Sequence, residues 1–200
     1  MIELHGFAMS PNTRRARLML EELDVPYKFV SVDLMSGEQR GESYRALNPT
    51  SRVPTLVDGD LKLWESNAVL VYLAEKHPSG KLLGEDARER AEVARWMFMN
   101  AAHLSPANSR ILAHTMRLPE DQRIPRVVEE ARAEIARCLA PLDSQLSGKE
   151  YIVGRFTAAD VALAPTLAFA PMLGIDLAPY PAISAWLKRM AGRPAWGRTS

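Results

Sequence analysis

The chain has 200 residues, 47% of them apolar, with 25 basic and 24 acidic side chains and a net charge of +1. That length accommodates one large domain or two small ones, and that apolar share builds a packed core without covalent staples. The near-neutral balance gives no electrostatic basis for binding nucleic acid or an anionic membrane. No apolar run approaches the roughly 18 residues of a membrane span, and the single cysteine, Cys138, excludes an intrachain disulfide and a cysteine-rich metal site.

The start, Met1 to His5, lacks a basic segment followed by an apolar stretch, so no signal peptide is expected and a cytoplasmic, reduced setting is. Ile2 to His5 predicts a short strand. Ser10-Pro11 then opens a helix, since serine caps well and proline is tolerated in the first turn. Ala16, Leu20 and Leu23 recur at helical spacing, with Arg14, Arg17 and Glu21 between them, until Asp24-Val25-Pro26 ends the helix. Tyr27 to Leu34 predicts a second strand, and strand–helix–strand order favours a parallel pair. Gly37 to Asn48 is polar and irregular. Pro54 to Val57 and Leu61 to Trp64 flank Asp58-Gly59-Asp60 as a hairpin, after which Ser66 is expected to cap a helix running to about Lys76.

His77-Pro78-Ser79-Gly80 interrupts the pattern. Beyond it Glu85 to Ala102, Ile124 to Leu146, Ala158 to Leu173 and Ile183 to Met190 predict helices, with no convincing strand. A mixed α/β domain over 1–76, a linker over 77–85 and an all-helical domain over 86–200 follow.

Four segments, in order and at matching spacing, resemble the cytosolic glutathione S-transferases, in particular serine-type, bacterial-like members. They are Ser10-Pro11-Asn12-Thr13-Arg14-Arg15, Asn48 through Leu56 with its Val53-Pro54 pair, Leu63-Trp64-Glu65-Ser66-Asn67-Ala68, and Phe156 through Val161. The resemblance covers nearly the whole chain. It implies a thioredoxin-like, glutathione-binding N-terminal domain followed by a helical bundle that contributes the pocket for a small apolar electrophile. It also implies a homodimer, glutathione as co-substrate, no metal, and a detoxifying transferase. Other glutathione-dependent chemistry on this scaffold (a peroxidase, dehalogenase or isomerase) and a catalytically silent binding protein stay open, because fold alone does not license activity.

Several residues carry the chemistry. Ser10 at a helix start is suited to hold a thiolate, where free N–H groups and the helix dipole favour an anion and the hydroxyl adds a hydrogen bond; the alternative is a simple helix cap. Asn12 is a second candidate for that contact, and Arg15 is expected to support the site rather than react. By resemblance, Val53 presents its backbone to the cysteinyl part of glutathione, beside a cis-proline at Pro54. Glu65 meets the γ-glutamyl ammonium and Ser66 its carboxylate. Gln39 and Arg40 meet the glycyl carboxylate from a stretch expected to be mobile, and Arg52, where the family commonly has glutamine, pairs with a carboxylate. Dithiol chemistry is disfavoured because no cysteine lies near Ser10.

Thr157 and Asp160 resemble the family's structural capping box. His5, His77, His103 and His114 have no metal-ligand spacing. Cys138 falls on an apolar stripe with Ala131, Ile135 and Leu142. Met97, Met99 and Met116 fit either core or an electrophile pocket, and Gly154 alone makes no phosphate loop.

Overall fold

The structure, a computed structural model, describes residues 1–199. Backbone contacts divide it into two compact units, one spanning Met1–Leu83 together with the segment from Gly192 onward, the other Gly84–Ala191.

The first unit alternates strand and helix: β1 (Ile2–Gly6), α1 (Pro11–Glu22), β2 (Tyr27–Ser31), α2 (Glu42–Arg45), β3 (Thr55–Asp58), β4 (Leu61–Trp64) and α3 (Ser66–Lys76). The sheet runs β2-β1-β3-β4. β1 and β2 are parallel with Gly6 opposite Ser31, while β3 is antiparallel to both β1 and β4. The β3–β4 hairpin turns through Gly59 at φ 63°, a conformation glycine adopts without cost. Leu4, Leu56, Leu18, Leu20, Leu70 and Leu73 are fully buried, and α1 packs against α3. β2 is shorter than its hydrophobic pattern suggests. Val32 still donates to the Gly6 carbonyl at 2.9 Å, but Asp33 then turns the chain, its carboxylate accepting from the Met35 N–H at 2.8 Å.

The last helix of the chain, Pro194–Arg198, groups with this first unit, a placement that the sequence does not suggest. Four arginines hold the segment to α1. Arg14 stacks over the Trp196 ring at 4.0 Å and donates to Thr199 Oγ1 at 3.3 Å. Arg17 donates to the Arg198 carbonyl at 2.9 Å, Arg193 forks onto Glu22 at 2.6 and 2.7 Å, and Arg198 reaches Glu21 at 2.5 Å.

The second unit contains only helices among its described residues: α4 (Ala87–Met99), α5 (Ser105–Leu112), α6 (Pro125–Leu146), α7 (Ala158–Ala168) and α8 (Pro181–Ala191), with the C-terminal Pro194–Arg198 of the first unit becoming α9. The predicted Glu85–Ala102 helix does not stop there. It widens into a π turn over Asn100–Leu104 and continues as α5. Pro106 has no N–H to offer the Ala102 carbonyl, which accounts for the loosened turn just before it. α7 is buried on every side except at Ala168, as befits a central helix. At its start Asp160 accepts four hydrogen bonds, from the Thr157 N–H and hydroxyl, the Ile152 N–H and the Trp186 indole, at 2.9 to 3.3 Å. Burial raises this carboxyl to about 6, against the pull of those donors. Cys138 is buried on α6 with Ala131, Ile135 and Leu142, and Met97 is core as well, whereas Met116 is half exposed.

Candidate functional site

Strand register brings the candidate residues to one end of the sheet. His5, next to the end of β1, pairs with Thr55 at the start of β3, and Thr55 pairs with Trp64 at the end of β4. The loops after β1, β2 and β4 and the loop before β3 therefore leave from the same edge. Ser10 and Asn12 follow β1, Gln39 and Arg40 follow β2, Arg52 and Val53 precede β3, and Glu65 and Ser66 follow β4. The β1 end fits closely against α1: a Cβ on Gly6 would meet Thr13 Cγ2 at 2.4 Å, so only glycine lets the chain turn here toward Ser10.

Ser10 occupies the N-cap of α1 with extended backbone, φ −77° and ψ 124°. Its Oγ accepts from the Thr13 N–H at 3.4 Å, far longer than the 2.8 Å bond from the Glu89 N–H that caps α4 at Asp86. The hydroxyl is thus only loosely engaged as a cap. No acidic side chain lies in the first turn of α1 or of α3, although Glu65 holds the cap position of α3. Asn12 is half-buried in the first turn of α1, and its side chain makes no hydrogen bond among the described residues.

The Val53–Pro54 peptide is cis. The preceding carbonyl, that of Arg52, accepts from the Tyr44 hydroxyl and from Asn48 Nδ2, both at 2.7 Å, and Tyr44 also meets Thr55 Oγ1 at 2.9 Å. The stretch expected to be irregular and mobile therefore contains a short helix, α2, whose buried Tyr44 anchors it to β3. Gln39 is half-buried, and its Oε1 is buried without a hydrogen bond among the described residues. Arg40 and Arg52 have exposed side chains, and among the described residues Arg52 is held through its carbonyl.

Glu65 stands at φ 70°, ψ 110°, a region that costs a side-chain-bearing residue of order 1–3 kcal/mol. This turn overturns one expectation. Ser66 is not the cap of α3 but its first helical residue, because the chain bends sharply at Glu65 and the cap position falls there, without a side-chain cap bond. The freed Ser66 hydroxyl has another partner: Arg15 NH1 donates to it at 3.1 Å. Arg15 lies on α1 and is only 2% exposed. Burial lowers its guanidinium to about 9, which leaves it charged at neutral pH. This contact joins the first residue of α3 to the helix that starts at Ser10. The sequence signals only that Arg15 belongs near the site, since nothing local reveals that its partner lies on α3.

The edge thus offers two helix N-termini, a hydroxyl at each, a buried cation behind one of them, and an exposed carboxylate on Glu65. Anionic groups suit the two helix starts, and a cationic group suits Glu65. Cys138, in the second unit, has its thiol pushed up by burial and is not suited to react. Open depressions of about 400 and 470 Å³ in the second unit are lined by none of the candidate residues. Among the described residues no group of three or more histidine, cysteine or acidic side chains could hold a metal ion. Among the described residues no helix is long and apolar enough to cross a membrane.

Known proteins agree with this architecture. Residues 4–84 match the family model described as glutathione S-transferase, N-terminal domain, and residues 96–194 match glutathione S-transferase, C-terminal domain. The disulfide-bond oxidoreductase YfcG of Escherichia coli strain K12 is 34% identical over 206 residues, covering 99% of this chain and 94% of its own. Glutathione S-transferase F10 of Arabidopsis thaliana is 34% identical over 200 residues, covering 94% and 92%. The theta class glutathione S-transferase of Xanthomonas axonopodis pv. citri, solved with glutathione bound, superimposes with a TM-score of 0.89 at 33% identity, covering 99% of this chain and 96% of its own. With both halves matched and relatives aligned end to end, the chain belongs to the glutathione S-transferase family.

Proposed function

We propose that the protein is a cytoplasmic, homodimeric glutathione transferase that conjugates the glutathione thiolate to a small apolar electrophile. The observation that carries this reading is the pair of helix N-termini at one sheet edge, Ser10 at α1 and Ser66 at α3, tied by Arg15. Glutathione lies with its sulfur beside Ser10 and its γ-glutamyl carboxylate at the start of α3. Glu65 takes the ammonium, and the Val53 backbone takes the cysteinyl unit. Gln39 and Arg40 take the glycyl carboxylate, Arg52 offers a further cation there, and Asn12 is the alternative donor to the sulfur.

A free thiol has a pKa of about 8.5. Lowering it by about two units requires roughly 2.7 kcal/mol, within reach of one charge-assisted hydrogen bond plus a helix terminus. The proton leaves to solvent on binding. The thiolate sulfur then forms a bond to the electrophilic carbon, and the leaving group departs with its electron pair. The test is calorimetric binding of glutathione followed by glutathione-dependent turnover of a panel of electrophiles. No binding at millimolar glutathione would refute the reading.

A second reading is favoured by the resemblance to a protein named as a disulfide-bond oxidoreductase. The same bound thiolate would attack a disulfide sulfur and release the other half as a thiolate. The chain's own Cys138 plays no part, being buried on α6. Faster turnover of hydroxyethyl disulfide than of every carbon electrophile would select it.

A further inference from the structure

Burying a guanidinium is costly, and a charge kept inside a fold needs an electrostatic reason to be there. Arg15 projects from α1 with 2% of its surface exposed and reaches the first residue of α3, donating through NH1 to Ser66 Oγ at 3.1 Å. A guanidinium carries donors only, whereas a hydroxyl carries one donor and two acceptor sites. Ser66 therefore accepts from Arg15, and its own proton has nothing to meet on that side. The hydroxyl is held as a donor, beside the first-turn N–H groups of α3. The cation behind it polarises the hydroxyl and strengthens its bond to an anion.

We propose that Arg15 is a positioning residue, which acts through Ser66 to make the start of α3 a charge-backed clamp for the ligand's α-carboxylate. Its seat on α1 couples that clamp to the helix that presents Ser10. The inference rests on the function proposed above, in which the γ-glutamyl carboxylate lies at α3. Lysine is no substitute, because its compact, strongly hydrated ammonium lacks the planar fork that reaches Ser66 from this depth.

The test is calorimetric binding of S-methylglutathione, whose thioether removes thiol ionisation from the readout, to wild type, Arg15→Lys, Ser66→Ala and the double variant. Each single change is expected to weaken binding about tenfold or more. If Arg15 acts through Ser66, the double variant is weaker than Ser66→Ala by less than about threefold. Fully additive losses would mean that Arg15 merely supports the fold, and would overturn the proposal. Arg15→Gln serves if the lysine variant does not fold. On wild type alone, saturating S-methylglutathione should shift the Arg15 side-chain N–H resonance, and should not do so in Ser66→Ala; no shift in wild type also overturns it. Failure of wild type to bind S-methylglutathione would instead remove the functional reading itself.

Discussion

Replacing Ser10 by alanine separates a helix cap from a thiolate donor, because the two roles predict losses in different quantities. The cap bond from the Thr13 N–H is 3.4 Å long, at the outer limit of a useful hydrogen bond. Its removal should cost about 0.5 kcal/mol, the low end for N-cap substitutions. A hydroxyl hydrogen bond to a thiolate is worth about 1.5–3 kcal/mol, which corresponds to about one to two units in the pKa of the bound thiol. If wild type holds that thiol near pH 6.5, the variant holds it between about 7.5 and 8.5. Turnover at pH 6.5 should then fall about five- to fiftyfold, and the deficit should vanish above about pH 9, where solvent deprotonates the thiol unaided. The assay is the pH profile of kcat/KM for the electrophile at saturating glutathione, with thermal unfolding alongside. An unshifted profile at full activity would refute the argument and transfer the role to Asn12.

Three further outcomes are expected. Glu65→Gly relieves the backbone at φ 70°, so the variant should be more stable by about 1 kcal/mol in urea unfolding while binding glutathione more weakly by about 1.5–3 kcal/mol; unchanged affinity removes Glu65 from the site. The Asp160 carboxyl, raised to about 6 in the fold from an ordinary 3.8, keeps its proton longer in the folded chain than in the unfolded one. Its contribution is therefore fully present below pH 4 and is lost as pH rises to 6, by about 3 kcal/mol. The difference in unfolding free energy between wild type and Asp160→Asn should show that fall, and a flat difference counts against it. Finally, light scattering at micromolar concentration should return twice the 22.3 kDa chain mass; a monomeric mass rejects the dimer.

Local sequence signals suffice where local physics decides. Ser10-Pro11 marks the start of α1, Asp58-Gly59-Asp60 turns the hairpin, and Thr157 with Asp160 opens α7, because caps and tight turns are settled within four or five residues. Serine before an apolar run looks the same whether it caps a helix or begins one; at Ser66 the deciding fact is the backbone angle at Glu65. Arg15 meeting Ser66, Tyr44 holding the Arg52 carbonyl, and Trp186 donating to Asp160 all join residues distant in sequence. No periodicity reports such pairs. The predicted helix ends at Ala102, whereas the structure carries it through one widened turn into α5 despite Pro106.

The seat of α9 on α1 bears on how the protein is made. Arg14 and Arg17 also reach partners at residues 196 to 199, some 180 positions further along the chain. During synthesis the sheet and α1 leave the ribosome early, yet the face of α1 that receives Trp196 must wait for nearly the entire helical unit to be translated. Contacts of such long sequence separation form late and slowly. The first unit to emerge is thus the last to be completed, and a chain stalled before residue 192 leaves the face of α1 that seats Trp196 without its cover.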